Sequence, residues 1–185
     1  LVAERVADGT ESTAGHPIDR AAEGVDRMQS VIADLTMLVR YSRPPETLHH
    51  CDVRAVVDDG YASAAVDSIA YEVEGDQQVR ADENRVTELF AGVFEFATAN
   101  GGTQLTVVIE DDTIVVTTDG PTLSPRDREK AFAYGEPVPS ANAGMALPNV
   151  RMLARALGWT PTIGESDAGS LQLRFDGVHT GSQPP

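Results

Sequence analysis

From Pro17 to Arg43 the apolar side chains recur in alternating steps of three and four: Ile18, Ala21, Val25, Met28, Ile32, Leu35 and Val39, with Ser42 continuing the row. This spacing predicts a helix with a heptad seam, a stripe that must be buried against other helices. The alternative, a helix laid on the sheet of its own domain, calls for a wider apolar face. Pro17 suits a first helical turn, and Arg43-Pro44-Pro45 stops the helix. Upstream, Leu1 to Ala7 reads as the tail of a preceding helix, with Val2 and Val6 one turn apart and residues 9–15 as a turn. Residues 1–43 are thus expected to form an incomplete antiparallel helical hairpin.

Residues 44–50 read as a linker, and beyond them the period changes. Val53 to Val66 is helix-like, Ser68 to Glu74 alternates as a strand, and Val79-Arg80-Ala81 reads as a short strand. Asp82 is placed to cap a helix carrying Val86, Leu89, Phe90, Val93, Phe94 and Ala97. Gln104 to Glu110 and Thr113 to Thr118 are β-rich runs joined by Asp111-Asp112, a hairpin signal. Asp119 to Ala143 reads as irregular, and Leu147 to Leu157 as a helix ended by Gly158. Thr160 to Gly164 and Ser170 to Phe175 form a last pair of strands, and the tail from His179 to Pro185 is expected to be disordered. This order predicts an α+β domain over residues 51–178: a mixed sheet with helices on one face, a two-layer α/β sandwich.

A chain of 185 residues with 41% hydrophobic and 23% charged residues has room for one such domain and a smaller helical element. Its 29 acidic against 14 basic residues give a net charge of -15, which excludes nucleic acid as a natural partner. Lys130 is the only lysine, and the acids are spread along the chain, a pattern that points to a salt-adapted surface and a halophilic source. A merely acidic cytosolic protein is the alternative. The single Cys51 rules out an internal disulfide and a multi-cysteine metal site, so a reducing cytoplasm is the simplest setting. No apolar run approaches the roughly 20 residues of a membrane span, so no membrane contact is expected within this stretch. The start at Leu1 rather than Met suggests a fragment, with room upstream for sensor or membrane segments.

Several local marks stand in a telling order. They are Asp26-Arg27-Met28 with Ile32-Ala33-Asp34-Leu35 before the linker, and Ala81-Asp82 opening the helix Arg85-Val86-Thr87-Glu88-Leu89-Phe90. Further on come Thr118-Asp119-Gly120-Pro121, Phe132, and the helix after Gly144 that ends in Leu157-Gly158-Trp159. From Pro17 to Val178 the chain resembles the C-terminal region of histidine kinases, especially haloarchaeal ones: a dimerisation helix followed by an ATP-binding domain of the fold shared with gyrase, Hsp90 and MutL. The resemblance implies an asparagine-rich helix whose carbonyl oxygens ligate Mg²⁺, an aspartate that accepts the adenine amino hydrogen, and two glycine boxes against which the phosphates lie.

Several of those positions carry other residues. Gly92 and Phe96 stand where the family has its two asparagines, and neither offers a side-chain oxygen. Asn100 falls at a polar position that could give a phosphate a weak contact, while Glu95 lies on a neighbouring face. In the first glycine box Thr118 stands at the adenine aspartate, Gly120 keeps the first glycine and Thr122 replaces the second. A one-residue slip would make Asp119 the adenine ligand instead. In the second box Gly144 survives and Ala146 replaces a glycine, so that a β-carbon crowds the phosphates. The lid between Tyr134 and Ala143 is short and carries two prolines. Asn100, Thr118, Asp119, Gly120 and Gly144 are therefore expected to outline a vestigial ATP pocket, with no catalytic residue and no metal ligand. No cofactor is expected; ATP and Mg²⁺ enter only if the pocket still functions.

The four histidines, His16, His49, His50 and His179, all fall outside a dimerisation helix, and the resemblance places the phosphoacceptor histidine about two helical turns before Leu1. The sequence thus points to a histidine-kinase-like signalling protein with a degenerate ATP site. It would act as a homodimer through the Ile18 to Ser42 helix and bind a response regulator or a partner kinase. An active ATP-dependent sensor kinase and an ATP-independent histidine phosphotransferase are the alternatives.

Overall fold

The computed structural model describes residues 24, 25, 28, 32, 36, 37, 39–41, 43–45, 47–64, 66, 69–75, 77–134, 138 and 145–180. The chain divides into two compact units, Leu1–Leu35 and Thr36–Pro185. In the first, residues 24, 25, 28 and 32 are helical, and Val25, Met28 and Ile32 of the expected seam are exposed. The preceding helix and turn of the expected hairpin lie outside the described residues.

The second unit begins with helical residues 36, 37 and 39–41. It continues through β1 (His49–Asp52), α1 (Val53–Ser63), β2 (Ala70–Glu74), β3 (Gln78–Ala81) and α2 (Glu83–Ala99). Then follow β4 (Gln104–Glu110), β5 (Thr113–Thr118), α3 (Pro125–Lys130), α4 (Ala146–Ala156), β6 (Thr160–Glu165) and β7 (Leu171–Asp176). Five strands form one mixed sheet in the order β2-β4-β5-β7-β6, in which only the β2–β4 pair is parallel. Alternation selects the core face: Leu105, Val107 and Ile109 of β4, Ile114 and Val116 of β5, and Leu171, Leu173 and Phe175 of β7 are all buried. They share one core with the buried faces of α1, α2 and α4, which makes the expected two-layer sandwich.

Local chemistry sets the element ends. Asp52 and Asp82 cap α1 and α2, accepting from the N–H groups of Ala55 and Arg85 at 3.2 and 3.1 Å. Asp111 adopts φ 47° and closes the two-residue β4–β5 hairpin. Gly158, at φ 86°, ends α4, and the Trp159 N–H then returns to the Ala154 carbonyl at 2.8 Å.

Three expectations need correction. His49 and His50 belong to a strand rather than to the linker, because β1 pairs antiparallel with β3. The stretch from Asp119 to Ala143 contains α3, whose start is encoded by Ser124-Pro125-Arg126-Asp127: the Ser124 hydroxyl accepts from the Asp127 N–H at 3.2 Å and donates to its carboxylate at 2.7 Å. Proline at the first turn and this reciprocal cap are readable in sequence. Lastly, His179 and Thr180 are tied to the domain: the His179 carbonyl accepts from the Arg80 N–H at 2.7 Å, and Thr180 bridges to Val79, while the rest of the expected tail lies outside the described residues. No helix among the described residues is long and apolar enough to cross a membrane.

Candidate functional site

α2 is the middle helix of its layer, and two glycines set how closely its neighbours approach. A β-carbon on Gly60 of α1 would stand 2.7 Å from Phe90 Cβ and 3.0 Å from the Thr87 carbonyl oxygen. One on Gly92 of α2 would stand 2.9 Å from Val150 Cγ2 of α4 and 3.5 Å from the Ala146 oxygen. Real β-carbons do not come as close as the 2.7 and 2.9 Å to Phe90 and Val150, and valine is stiff at χ1. Gly92, read from sequence as a missing asparagine, is thus also the contact at which α4 closes on α2.

One turn on, Phe96 is fully buried and belongs to the core cluster. Its ring does not stand in an open cleft; it faces the interior, in the same core cluster as the buried residues of the sheet. Glu95 points outward and is exposed, as its position on a neighbouring face implies.

Asn100, Thr118 and Gly120 come together where the C-terminus of α2 meets the end of β5. The Asn100 amide donates to the Pro121 carbonyl at 2.7 Å, and the Gly120 N–H donates to the Thr118 hydroxyl at 3.3 Å. A β-carbon on Gly120 would stand 3.0 Å from Asn100 Nδ2, and one on Gly102 only 2.4 Å from Thr118 Oγ1. Thr118 is 2% and Asn100 6% exposed, so both side chains are interior groups, each in a hydrogen bond within the domain.

Asp119 is turned away from this cluster. Its Oδ1 accepts from the N–H groups of Thr103 and Gln104 at 2.7 and 2.8 Å, and its Oδ2 from the Thr103 hydroxyl at 2.6 Å. These bonds, the Thr103 hydroxyl first, hold its pKa down at about 2, below the usual carboxylate range. The carboxylate fastens the turn between α2 and β4 on the surface. Gly144 and most of the expected lid, residues 135–137 and 139–144, lie outside the described residues. Among the described residues no cluster of three or more His, Cys, Asp or Glu could hold a metal ion. His49 and His50, adjacent on β1, are both exposed.

Sequence reading missed the role of Arg85. It is 6% exposed, and its Nη1 donates to the Tyr41 carbonyl at 2.9 Å and also to that of Arg43. Its guanidinium lies 5.5 Å from the Tyr41 ring centroid, while Nε stands 3.5 Å from Asp82 Oδ2, an ion-pair distance without hydrogen-bond geometry. A cation beside helical carbonyls complements the helix dipole, so Arg85 holds the carbonyls of Tyr41 and Arg43 as a cap from another element.

No family model matches the chain, and no curated protein matches it. Among solved structures the fold is similar to that of the Acinetobacter baumannii histidine kinase AdeS, at 15% identity and a TM-score of 0.62, covering 87% of this chain and 83% of that one. It is also similar to the mycobacterial sensor histidine kinase MprB, at 18% identity and a TM-score of 0.56, covering 72% of this chain and 99% of the other. A third is full-length ShkA in complex with AMPPNP, at 20% identity and a TM-score of 0.59, covering 88% of this chain and 38% of ShkA. At such identities the likeness carries the fold: the second unit has the architecture of histidine kinase catalytic domains.

Proposed function

We propose that this chain is a histidine-kinase-like signalling module with a degenerate ATP site, which acts through dimerisation and partner binding in a two-component pathway. The close packing of α4 on α2 at Gly92 and Val150, one turn from the buried Phe96, carries the reading. A Mg²⁺-nucleotide needs oxygen ligands and open backbone there, whereas these positions offer a hydrogen atom and a benzyl ring. The inward hydrogen bonds of Asn100 and Gly120 support the same reading, and with Thr118, Asp119 and Gly144 they outline what we take to be a vestigial pocket. Exposed Val25, Met28 and Ile32 support a homodimer seam along the Ile18 to Ser42 helix, because apolar side chains at helical spacing need a cover. A response regulator or partner kinase is the expected partner, and the acidic composition fits a halophilic cytoplasm.

A melting experiment in about 2 M KCl tests the nucleotide part. A ligand at 100 times its Kd stabilises by about 2.7 kcal/mol, or roughly 5 to 10 °C for a domain of this size. No shift with millimolar ATP and Mg²⁺ is expected, and a shift of that order overturns the reading. The second reading, an active sensor kinase, draws on ShkA, whose structure holds AMPPNP on the same fold. Under it, ATP and Mg²⁺ are the cofactors.

A further inference from the structure

α4 is an anomaly in an acidic chain: its eleven residues, Ala146–Ala156, include no carboxylate and two arginines, Arg151 and Arg155. At a spacing of four these project from one face. Neither has a carboxylate within ion-pair distance among the described residues, although the chain carries 29 acidic residues. The helix dipole accounts for a cation at Arg155, in the last turn, but not for Arg151 in mid-helix.

Between them runs a groove of about 350 Å³, with Pro148 and Met152 contributing apolar surface and Pro44 and Tyr134 lining it from outside the helix. Arg155 and Pro44 are exposed, and Tyr134 is 42% exposed. The Tyr134 hydroxyl reaches the Pro148 carbonyl at 3.5 Å.

We propose that this groove is a docking site for an acidic helical segment of a protein partner, with two carboxylates about one turn apart on Arg151 and Arg155 and an aliphatic side chain on Met152. Guanidinium forks pair with carboxylates in two parallel hydrogen bonds, and an apolar floor between two cations matches an amphipathic acidic helix. A small-molecule pocket buries most of its ligand, whereas this groove lies open along the outside of the helix. The net charge of -15 repels an acidic ligand at long range. In about 1 M salt the screening length is near 3 Å, so that repulsion fades while contact pairs persist. The site does not depend on whether nucleotide binds at α2.

The test uses the 185-residue chain and a fluorescein-labelled helical peptide of about twelve residues, with Glu pairs four apart and one Leu per turn. Saturable anisotropy change in about 1 M KCl is expected, with amide shifts confined to α4 and Tyr134. The Gln-for-Glu peptide and the double variant Arg151→Glu with Arg155→Glu should each bind at least about tenfold more weakly. Arg155→Glu alone, at an exposed position, should give part of that loss with an unchanged circular dichroism spectrum. Equal affinity for the Gln peptide, equal affinity of the variants, or no saturation overturns the proposal. So does displacement of the peptide by tripolyphosphate or ATP with shifts at the same amides, which would make the groove a small-anion pocket.

Discussion

Replacing Phe96 with Asn returns the side chain that the kinase resemblance places there, and the two accounts of the site make opposite forecasts for it. In a nucleotide cleft an asparagine is tolerated and gains a metal contact. In the structure Phe96 is fully buried in the hydrophobic core. Truncating a buried phenylalanine costs about 3 to 5 kcal/mol, and an amide left without partners in the same place adds about 1 to 3. The expected loss of about 4 to 8 kcal/mol is a large share of the 5 to 15 that holds a typical domain together. Urea unfolding in about 2 M KCl, followed through the single tryptophan Trp159, reads it directly, because Trp159 is buried against Phe175 at 6.4 Å between ring centroids. A loss below about 1 kcal/mol, the range of an ordinary surface substitution, refutes the packing account.

Arg85→Met should cost about 2 to 4 kcal/mol, since it leaves the carbonyls of Tyr41 and Arg43 without their charged donor, and hydrogen exchange should quicken at residues 39–41. If only global stability falls and those amides exchange unchanged, Arg85 is not a cap. Asp119 ionises more readily folded, with its pKa near 2 against 3.8 unfolded, so its contribution is present above pH 4 and is lost as pH falls toward 2. Urea midpoints of Asp119→Asn should therefore lie below wild type at pH 7 and converge with it near pH 2; a constant gap rejects this. Ile32→Asp should convert dimers to monomers in light scattering, and an unchanged mass rejects the proposed seam.

Much of the fold was legible because its elements announce themselves locally. The β4–β5 hairpin lies at its predicted residues, Asp82 caps α2, and Gly158 ends the last helix. β1 was not legible, since His49-His50-Cys51-Asp52 lacks strand composition and is held by its pairing with β3. Tertiary context also decided the site. Gly92 in sequence is only an absent asparagine; its contact with Val150, 58 positions away in the chain, makes it a packing residue. Asp119 and Thr118 are adjacent and chemically ambiguous until the strand sends one outward to Thr103 and the other inward to Gly120. Arg85 reads as an ordinary helix-surface arginine because its acceptors lie more than 40 residues upstream.

The most direct test of a closed nucleotide site is calorimetric titration of the intact chain with ATP in about 2 M KCl, run with Mg²⁺ and again with a chelator. The account predicts heats indistinguishable from dilution in both, up to about 1 mM, where binding is worth only about 4 kcal/mol. A saturable isotherm with a micromolar Kd that disappears without Mg²⁺ would contradict it.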